Sequence, residues 1–192
     1  YGGDVQPAGL LHGMILRSPH AHARIKSIDT SKAEALPGVH AVITAKDLPE
    51  TDPGVLVDYG EGSINLDYLK QNVLAHGKAL YTGHAIAGVA AISPHVASEA
   101  LELIEVEYEV LPHVLTASEG MKEDAPILIE GLRTEEFGRQ ASGPSNVAEH
   151  FQHRLGDIEK GFEQADLVIE REFNTATVHQ GYVEPQNVTV LW

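Results

Sequence analysis

Two histidines, His20 and His22, stand two residues apart in the stretch RSPHAHARIKSID, which runs from Arg17 to Asp29. Residues at positions i and i+2 share one face of a strand, so the two imidazoles could bind a metal ion together. Zinc requires three or four ligands, and the sequence positions no third one beside this pair. The residue types therefore favour a turn whose histidines hydrogen-bond to backbone or solvent. We expect neither imidazole to be a metal ligand.

Three other side chains outside this stretch could take part in binding or catalysis. His84 lies between two small residues in an apolar run, which is typical of a core or interface histidine with satisfied ring nitrogens. In the segment HQGYVEP, His179 and Glu184 stand five residues apart and could form an acid–base pair. The signal is weak, because any polar loop can contain both residue types.

Acidic residues are prominent but do not form a recognisable site. Glu105, Glu107 and Glu109 alternate with apolar residues, as expected for the solvated face of a strand. The sequence has no glycine-rich phosphate loop, nucleophile elbow, HExxH motif or calcium loop. Residue chemistry alone therefore predicts an acidic α/β domain without an assembled active site.

Composition limits the classes of function. The 192 residues suffice for one domain or slightly more, and 13 basic against 28 acidic residues give a formal charge of −15, which opposes nucleic-acid binding. Cysteine is absent, so disulfides, cysteine-ligated zinc and iron–sulfur clusters are excluded, and a reducing cytoplasm is expected. No apolar run is long enough for a membrane span, and no signal peptide is recognisable. Because the first residue is not Met, we expect the natural N-terminus to be missing.

The hydrophobic pattern predicts strands and helices in alternation. Strands are predicted over LLHGMIL, ARIKSID, VHAVIT, ALYTGHAIAGVAAI, IEVEYEV, LVIEREF and NVTVLW, and helices after Thr30 or Ser31, after Ser93 and after Asp157. Residues 49–78 are predicted to be mostly loop, and residues 116–155 a long connection. The resulting order, β-β-α-β, loop, β-α-β, connection, α-β-β, is a mixed α/β arrangement.

Three segments, in order, resemble a known family. The segment LLHGMILRSPHAHARIKSIDTSKAEALPGVHAVITAKDLP is similar to the N-terminal region of the molybdenum-binding subunit of the xanthine dehydrogenase/aldehyde oxidase family. The segments YTGHAIAGVAAISPHVASEALELIEVEYEVLP and GDIEKGFEQADLVIEREF, the latter followed by HQGYVEP, resemble later parts of the same subunit. Many members carry Glu-Pro where this sequence has His84-Ala85. A histidine at this position resembles the aryl-CoA reductase branch and related bacterial branches.

The resemblance implies a domain organisation and a chemistry. It implies an α/β-hammerhead domain over residues 1–120, a linker over 121–155 and the start of a molybdopterin-binding domain over 156–192. Family members hold molybdenum on molybdopterin cytosine dinucleotide and hydroxylate aldehydes, N-heterocycles or carbon monoxide with oxygen from water. One branch dehydroxylates an aryl-CoA thioester. Electrons pass through iron–sulfur and FAD subunits or domains, so these and the remainder of the molybdenum subunit are the implied partners.

The resemblance also implies that this chain is a part of a longer subunit. The family's cofactor loops and catalytic glutamate would lie beyond Trp192, so no catalytic residue is assigned and no cofactor or metal is expected on this part alone. His179 and Glu184 are the nearest candidates for lining a substrate channel. The main hypothesis is an inactive N-terminal part of a molybdenum hydroxylase, and the alternative is a non-catalytic hammerhead interaction or assembly module.

The pattern of the last residues predicts how residues 156–192 pack. Val188, Val190 and Trp192 fall on one face of the segment NVTVLW, which would leave an apolar stripe and open hydrogen-bonding groups. Residues 156–192 are therefore expected either to pack against the hammerhead or to mediate self-association through this edge.

Overall fold

Two three-stranded antiparallel sheets form the body of the molecule between residues 12 and 110. The structure is a computed structural model that describes residues 2–52, 54–58, 60, 62–183 and 186–191. The strands are β1 (His12–Arg17), β2 (Ala23–Asp29), β3 (Val39–Thr44), β4 (Leu56–Asp58), β5 (Ser63–Asn65), β6 (Lys78–Ala79), β7 (Ala85–Ala91), β8 (Glu105–Val110), β9 (Glu135–Glu136), β10 (Arg139–Gln140) and β11 (Glu149–His150). The α-helices are α1 (Ser31–Glu34), α2 (Leu66–Val73), α3 (Pro94–Glu102), α4 (Ala117–Gly120) and α5 (Ile158–Glu163), and 3-10 turns cover Gly2–Asp4 and Ala45–Asp47.

The sheet topology is simple. The first sheet has the order β1-β7-β3 and the second has the order β6-β2-β8. Strands β4 and β5 form a hairpin, and β10-β9-β11 form a small separate sheet. Together with the helices this is a mixed α/β fold, as the sequence pattern predicted.

The main core lies between the first sheet and helix α3. Helix α3 begins where predicted, because the Ser93 hydroxyl accepts the Val96 amide at 3.2 Å and Pro94 occupies the first turn. Ala97 and Ala100 on the helix are fully buried, in one cluster with the small residues of β7. Alanine at these contact positions lets the helix backbone approach the sheet closely.

The capping of α1 differs from the expectation. Thr30 is the N-cap residue, but its hydroxyl donates to the Glu34 carboxylate at 2.6 Å rather than capping a backbone amide. The Ser31 amide is instead satisfied by the Asp29 carboxylate at 3.0 Å. An aspartate just before the helix therefore does the capping in place of the expected hydroxyl.

The prediction that residues 49–78 are mostly loop was wrong. The segment holds the β4–β5 hairpin and helix α2, which begins where the Asn65 side chain accepts the Asp67 amide at 2.9 Å. The helical signal was present in the sequence, since Leu66, Leu69 and Val73 are spaced at i, i+3 and i+7. The helix is short, which obscured the signal.

Two predicted strands near the C-terminus are also corrected. Residues 167–173 and 187–191 form no strand, because they have no pairing partner among the described residues. Every described residue from Phe151 to Leu191 is exposed, so this segment buries none of its residues against the hammerhead, which was one of the two expectations, although Asn187 lies close to Gly2. Trp192 lies outside the described residues. Self-association through this segment stays a prediction.

Candidate functional site

The turn between β1 and β2 is fastened to the loop before β7. The Ser18 amide donates to the His84 carbonyl at 2.8 Å, and the Gly83 amide donates back to the Ser18 carbonyl at 2.8 Å. The Arg17 guanidinium adds a hydrogen bond to the Gly83 carbonyl at 2.9 Å. Ser18 itself is 2% exposed. The RSPHAH stretch is thus a turn between two strands, as predicted, and it connects the two sheets.

The two histidines of this turn have different surroundings. The His20 ring meets the Tyr108 ring edge-on, with centroids 5.0 Å apart. His22 is 4% exposed, and its Nδ1 lies 2.6 Å from the Pro112 carbonyl oxygen. A carbonyl only accepts, so Nδ1 carries the proton and donates, while the buried Nε2 has no partner among the described residues.

A metal role for this pair gains no support from the geometry. Among the described residues no group of three or more histidine, cysteine, aspartate or glutamate side chains is placed to hold a metal ion. The expectation that His20 and His22 are not ligands stays a prediction for experiment.

His84 is a fully buried histidine with both ring nitrogens engaged, which confirms the expectation of a satisfied core residue. Its Nδ1 accepts the Leu80 amide at 3.1 Å, and its Nε2 therefore carries the proton and donates to the Gln71 carbonyl at 2.8 Å. The Tyr81 ring stacks on it with centroids 4.4 Å apart. Burial lowers the pKa of His84, and the hydrogen bond to Gln71 acts in the opposite direction. The imidazole joins the end of α2 to the loop before β7 and has no free nitrogen for acid–base catalysis.

The three glutamates of β8 form a row of exposed ion pairs rather than a site. Glu109 lies 3.5 Å from Arg24, Glu107 lies 3.6 Å from Lys26, and Glu105 pairs with Lys32. All six side chains are about half exposed or more, so solvent screens each pair and its contribution to stability is small. This confirms the prediction that the three glutamates lie on a solvated strand face. The structure also shows that they pair with basic residues of β2 and α1.

Lys78 was not identified from the sequence, and it is the clearest buried charge. It is 7% exposed, and its Nζ donates to the Leu128 carbonyl at 2.6 Å and to the Glu130 carboxylate at 2.8 Å. The hydrogen bond from Lys78 lowers the pKa of Glu130. The only sequence signal was a lysine followed by Ala-Leu in an apolar run. These contacts fix the connection after α4 to the second sheet.

Of the two predicted substrate-channel residues, the structure describes His179. His179 is exposed, its Nδ1 accepts the Gly181 amide at 3.0 Å, and its ring lies 5.0 Å from that of Tyr182. Glu184 lies outside the described residues, so the acid–base pair stays a prediction.

A cleft is lined by residues of β2, β3 and the segment before β6. It has a volume of about 440 Å³, with Ile25, Ile28 and Val42 among its walls and Lys46 and His76 also lining it. No hydrogen-bonded acid–base pair lies in it among the described residues. The exposed residues after 150 likewise offer no enclosed cradle for a large cofactor, so the described chain does not by itself fit a molybdopterin.

Comparison with known proteins places this fold in a family. Residues 1–112 match the family model described as aldehyde oxidase and xanthine dehydrogenase, a/b hammerhead domain, and residues 140–192 match a molybdopterin cofactor-binding domain. The fold is therefore that of an α/β-hammerhead domain followed by a segment related to molybdopterin-binding domains. The chain belongs to the aldehyde oxidase and xanthine dehydrogenase family.

Individual relatives agree with this assignment. The carbon monoxide dehydrogenase large chain of Afipia carboxidovorans is 40% identical over 194 residues, which cover 96% of this chain and 22% of the relative. The 6-hydroxypseudooxynicotine dehydrogenase complex subunit gamma of Paenarthrobacter nicotinovorans is 34% identical, over 99% of this chain and 22% of the relative. The crystal structure of the Cu,Mo-CO dehydrogenase superposes with a TM-score of 0.63 at 37% identity, covering 87% of this chain and 20% of that chain. The chain thus spans about a fifth of the length of these relatives.

Proposed function

We propose that this chain is the N-terminal part of the molybdenum-binding subunit of a molybdenum hydroxylase. The observation that carries the proposal is the order of two matches on one chain, a hammerhead over residues 1–112 followed by a molybdopterin cofactor-binding domain over residues 140–192. The proposed division is a hammerhead over residues 1–120, a linker over 121–155 and the start of the cofactor-binding domain over 156–192. The end of β8 at Val110 supports the first boundary.

The whole enzyme is an oxidoreductase that acts on an aldehyde, an N-heterocycle, carbon monoxide or an aryl-CoA, with oxygen chemistry derived from water. Molybdenum on molybdopterin cytosine dinucleotide supplies the redox chemistry when bound. Electrons leave through iron–sulfur and FAD subunits or domains, in the cytoplasm. Support comes from the names of the relatives, which are dehydrogenases of carbon monoxide and of 6-hydroxypseudooxynicotine. The absence of cysteine is compatible with a reducing compartment. None of the described helices is long and apolar enough to cross a membrane.

The role of this part is positional rather than chemical. The buried His84 and the turn around Ser18 tie the two sheets together, which makes the hammerhead a rigid support for the cofactor-binding domain of the subunit. His179 and Glu184 are proposed to line the substrate channel of the assembled enzyme. No step of the reaction is assigned to a residue of the described chain, so the 192 residues alone are proposed to be inactive.

A second candidate is a non-catalytic hammerhead interaction or assembly module. It is favoured by one observation: residues 12–110 have their own buried core, whereas every described residue from Phe151 onward is exposed. Such a body could serve as a module without the chemistry.

One experiment separates the two candidates. The polypeptide encoded by the complete reading frame is expressed with its neighbouring subunits and assayed with a dye acceptor in ¹⁸O-labelled water on aldehydes, N-heterocycles and carbon monoxide. We expect ¹⁸O in the product of one class. A purified, molybdenum-loaded complex that oxidises none of these and does not reduce an aryl-CoA thioester would contradict the proposed function.

A further inference from the structure

The first sheet has one face that no described element covers. Its other face is packed by α3, but on this side β1, β7 and β3 present two rows of side chains that run across the strands. In register, Ile15 pairs with Gly88 and Gly88 with Ile43, and in the next row Gly13 pairs with Ala90 and Ala90 with Ala41. We call these six residues the outer sheet face.

The two rows differ in height. A Cβ placed on Gly88 would lie 3.2 Å from Ile43 and 3.4 Å from Ile15, so the two isoleucines lean over the central strand and meet above the glycine. The neighbouring row of glycine and alanines is lower, and both rows, together with Met14 and Val89, line a shallow trough of about 230 Å³. The outer sheet face is therefore a ridge beside a trough, with a shape that side chains of another element can fill.

Its chemistry specifies an apolar occupant. None of the six side chains is charged or polar, and Ile15 and Ile43 are 43% and 44% exposed. Strand β7 has both of its edges paired, so an occupant of this face finds no free backbone group on the central strand. Burial of aliphatic surface is then the main source of affinity, which favours an element with an uncharged stripe of aliphatic side chains.

The area of the outer sheet face indicates whether the occupant belongs to the same polypeptide or to a separate chain. Three strands about 4.8 Å apart and four residues of about 3.3 Å each cover roughly 200 Å². A stable interface between separate chains needs about 800 Å² per partner. A patch this small suits an element on the same polypeptide, whose effective concentration is high because it is tethered. The relatives are about five times longer than this chain, so in a subunit of that length such an element is available.

We infer that the outer sheet face is a seam against which an apolar element of the same molybdenum subunit packs. The inference rests on the proposed function, because it requires that the hammerhead is one part of a longer subunit. It assigns to Ile15 and Ile43 the role of contact residues between the hammerhead and the rest of the subunit.

Thiol labelling tests the seam, since the 192 residues contain no cysteine. Ile15→Cys and Ile43→Cys are made separately, so that each strand gives an independent result if one variant misfolds. Ile64→Cys, at a residue that is 42% exposed on β5, is the matched control. Each variant is made in the 192-residue chain and in the complete cofactor-loaded subunit, and maleimide labelling is followed at the peptide level by mass spectrometry.

The expected result is that all three sites label at similar rates in the 192-residue chain. In the complete subunit, Ile15→Cys and Ile43→Cys should label at least tenfold more slowly than in the short chain, and Ile64→Cys should be unchanged. Equal labelling of the seam variants in both forms would overturn the inference. Protection that rises with the concentration of the short chain would also overturn it, because the occupant would then be a second copy. A failure of the proposed function would be distinguished from these labelling results, because the wild-type complete subunit would then contain no molybdopterin.

Discussion

His84 and His22 are both buried, but their ring nitrogens are hydrogen-bonded to different extents. His84 uses both nitrogens, one accepting from Leu80 and one donating to Gln71, so the surrounding backbone selects its tautomer. His22 uses only Nδ1, which donates to Pro112, and its Nε2 is left without a partner among the described residues. The sequence pattern correctly predicted that His22 lies in a turn and His84 in the core. The tautomers could not be predicted, because they depend on carbonyls contributed by distant segments.

The first prediction is a pH dependence that arises from His84. Burial lowers its pKa in the folded state, whereas in the unfolded chain it titrates near 6.5. Below that pH the unfolded state binds more protons, so the free energy of unfolding falls as the pH drops from about 6.5 towards the folded pKa, by at most about 1.4 kcal/mol per pH unit. His84→Gln, whose amide can accept from Leu80 and donate to Gln71, should flatten this slope.

Urea unfolding at several pH values between about 7 and 5 measures the effect. His40→Gln, at an exposed histidine on β3, is the control for the effect of replacing a histidine by glutamine. An unchanged slope in His84→Gln would mean that another group causes the acid sensitivity.

The second prediction concerns His20 and His22 as non-ligands. Replacing both by Gln should leave the metal content of the purified chain unchanged, as measured by elemental analysis. The stability cost should be about 1 kcal/mol for the lost hydrogen bond of His22, and about 0.5 kcal/mol for the lost ring contact of His20. A zinc-dependent loss of several kcal/mol on unfolding would show that the turn had been misinterpreted.

At the scale of elements, the sequence predicted those strands whose pattern is self-contained. Strand β8 alternates strictly, β1, β3 and β7 are short apolar runs, and β2 places Ile25 and Ile28 among polar residues. The errors arose where a strand depends on a partner, as at residues 167–173, or where a helix is only two turns long, as in α2. Local pattern determines what a segment can form, and pairing determines whether it forms.

The third prediction tests the tight turn that ends α1. Gly38 has a φ of +94°, and a Cβ there would lie 2.9 Å from two Ile92 carbons. Gly77 also has a positive φ, +74°, but a Cβ there would meet nothing within 4 Å. Both Gly→Ala variants should lose stability through backbone strain, about 1 kcal/mol. Gly38→Ala should lose up to about 1 kcal/mol more, because the Ile92 side chain, which is 55% exposed, must turn aside into a less favourable rotamer.

Thermal unfolding of the two variants side by side gives the comparison. If Gly38→Ala is no less stable than Gly77→Ala, then Ile92 moves aside without cost and the packing between the turn and the β7–α3 junction is looser than described.

At the scale of the whole molecule, the described chain has a packed body and an exposed C-terminal segment. The fourth prediction follows from this contrast: deleting Gly156–Trp192 should leave the free energy of unfolding of the remaining chain unchanged within about 0.5 kcal/mol, since surface residues contribute little. Light scattering on both forms tests self-association, which should be confined to the longer one. Unfolding of the shortened chain would show that the proposed boundary at residue 156 is wrong.

The candidate site could not be predicted from this sequence in the same way as the fold. His179 is exposed in the described structure, and no group of three or more side chains that could hold a metal ion forms among the described residues. A cofactor site of this size needs side chains from several segments, and the chain spans about a fifth of its relatives. Sequence similarity therefore supports the proposed chemistry, while the described residues do not show a geometry that would perform it.

The most direct test of the central claim is the molybdenum and molybdopterin content of two proteins prepared from the same host. One is the 192-residue chain, and the other is the polypeptide encoded by the complete reading frame. We predict about one molybdenum and one molybdopterin per complete subunit and none on the 192-residue chain. Stoichiometric molybdenum on the short chain, or a complete, folded polypeptide that carries no molybdopterin in a host that makes it, would contradict the account.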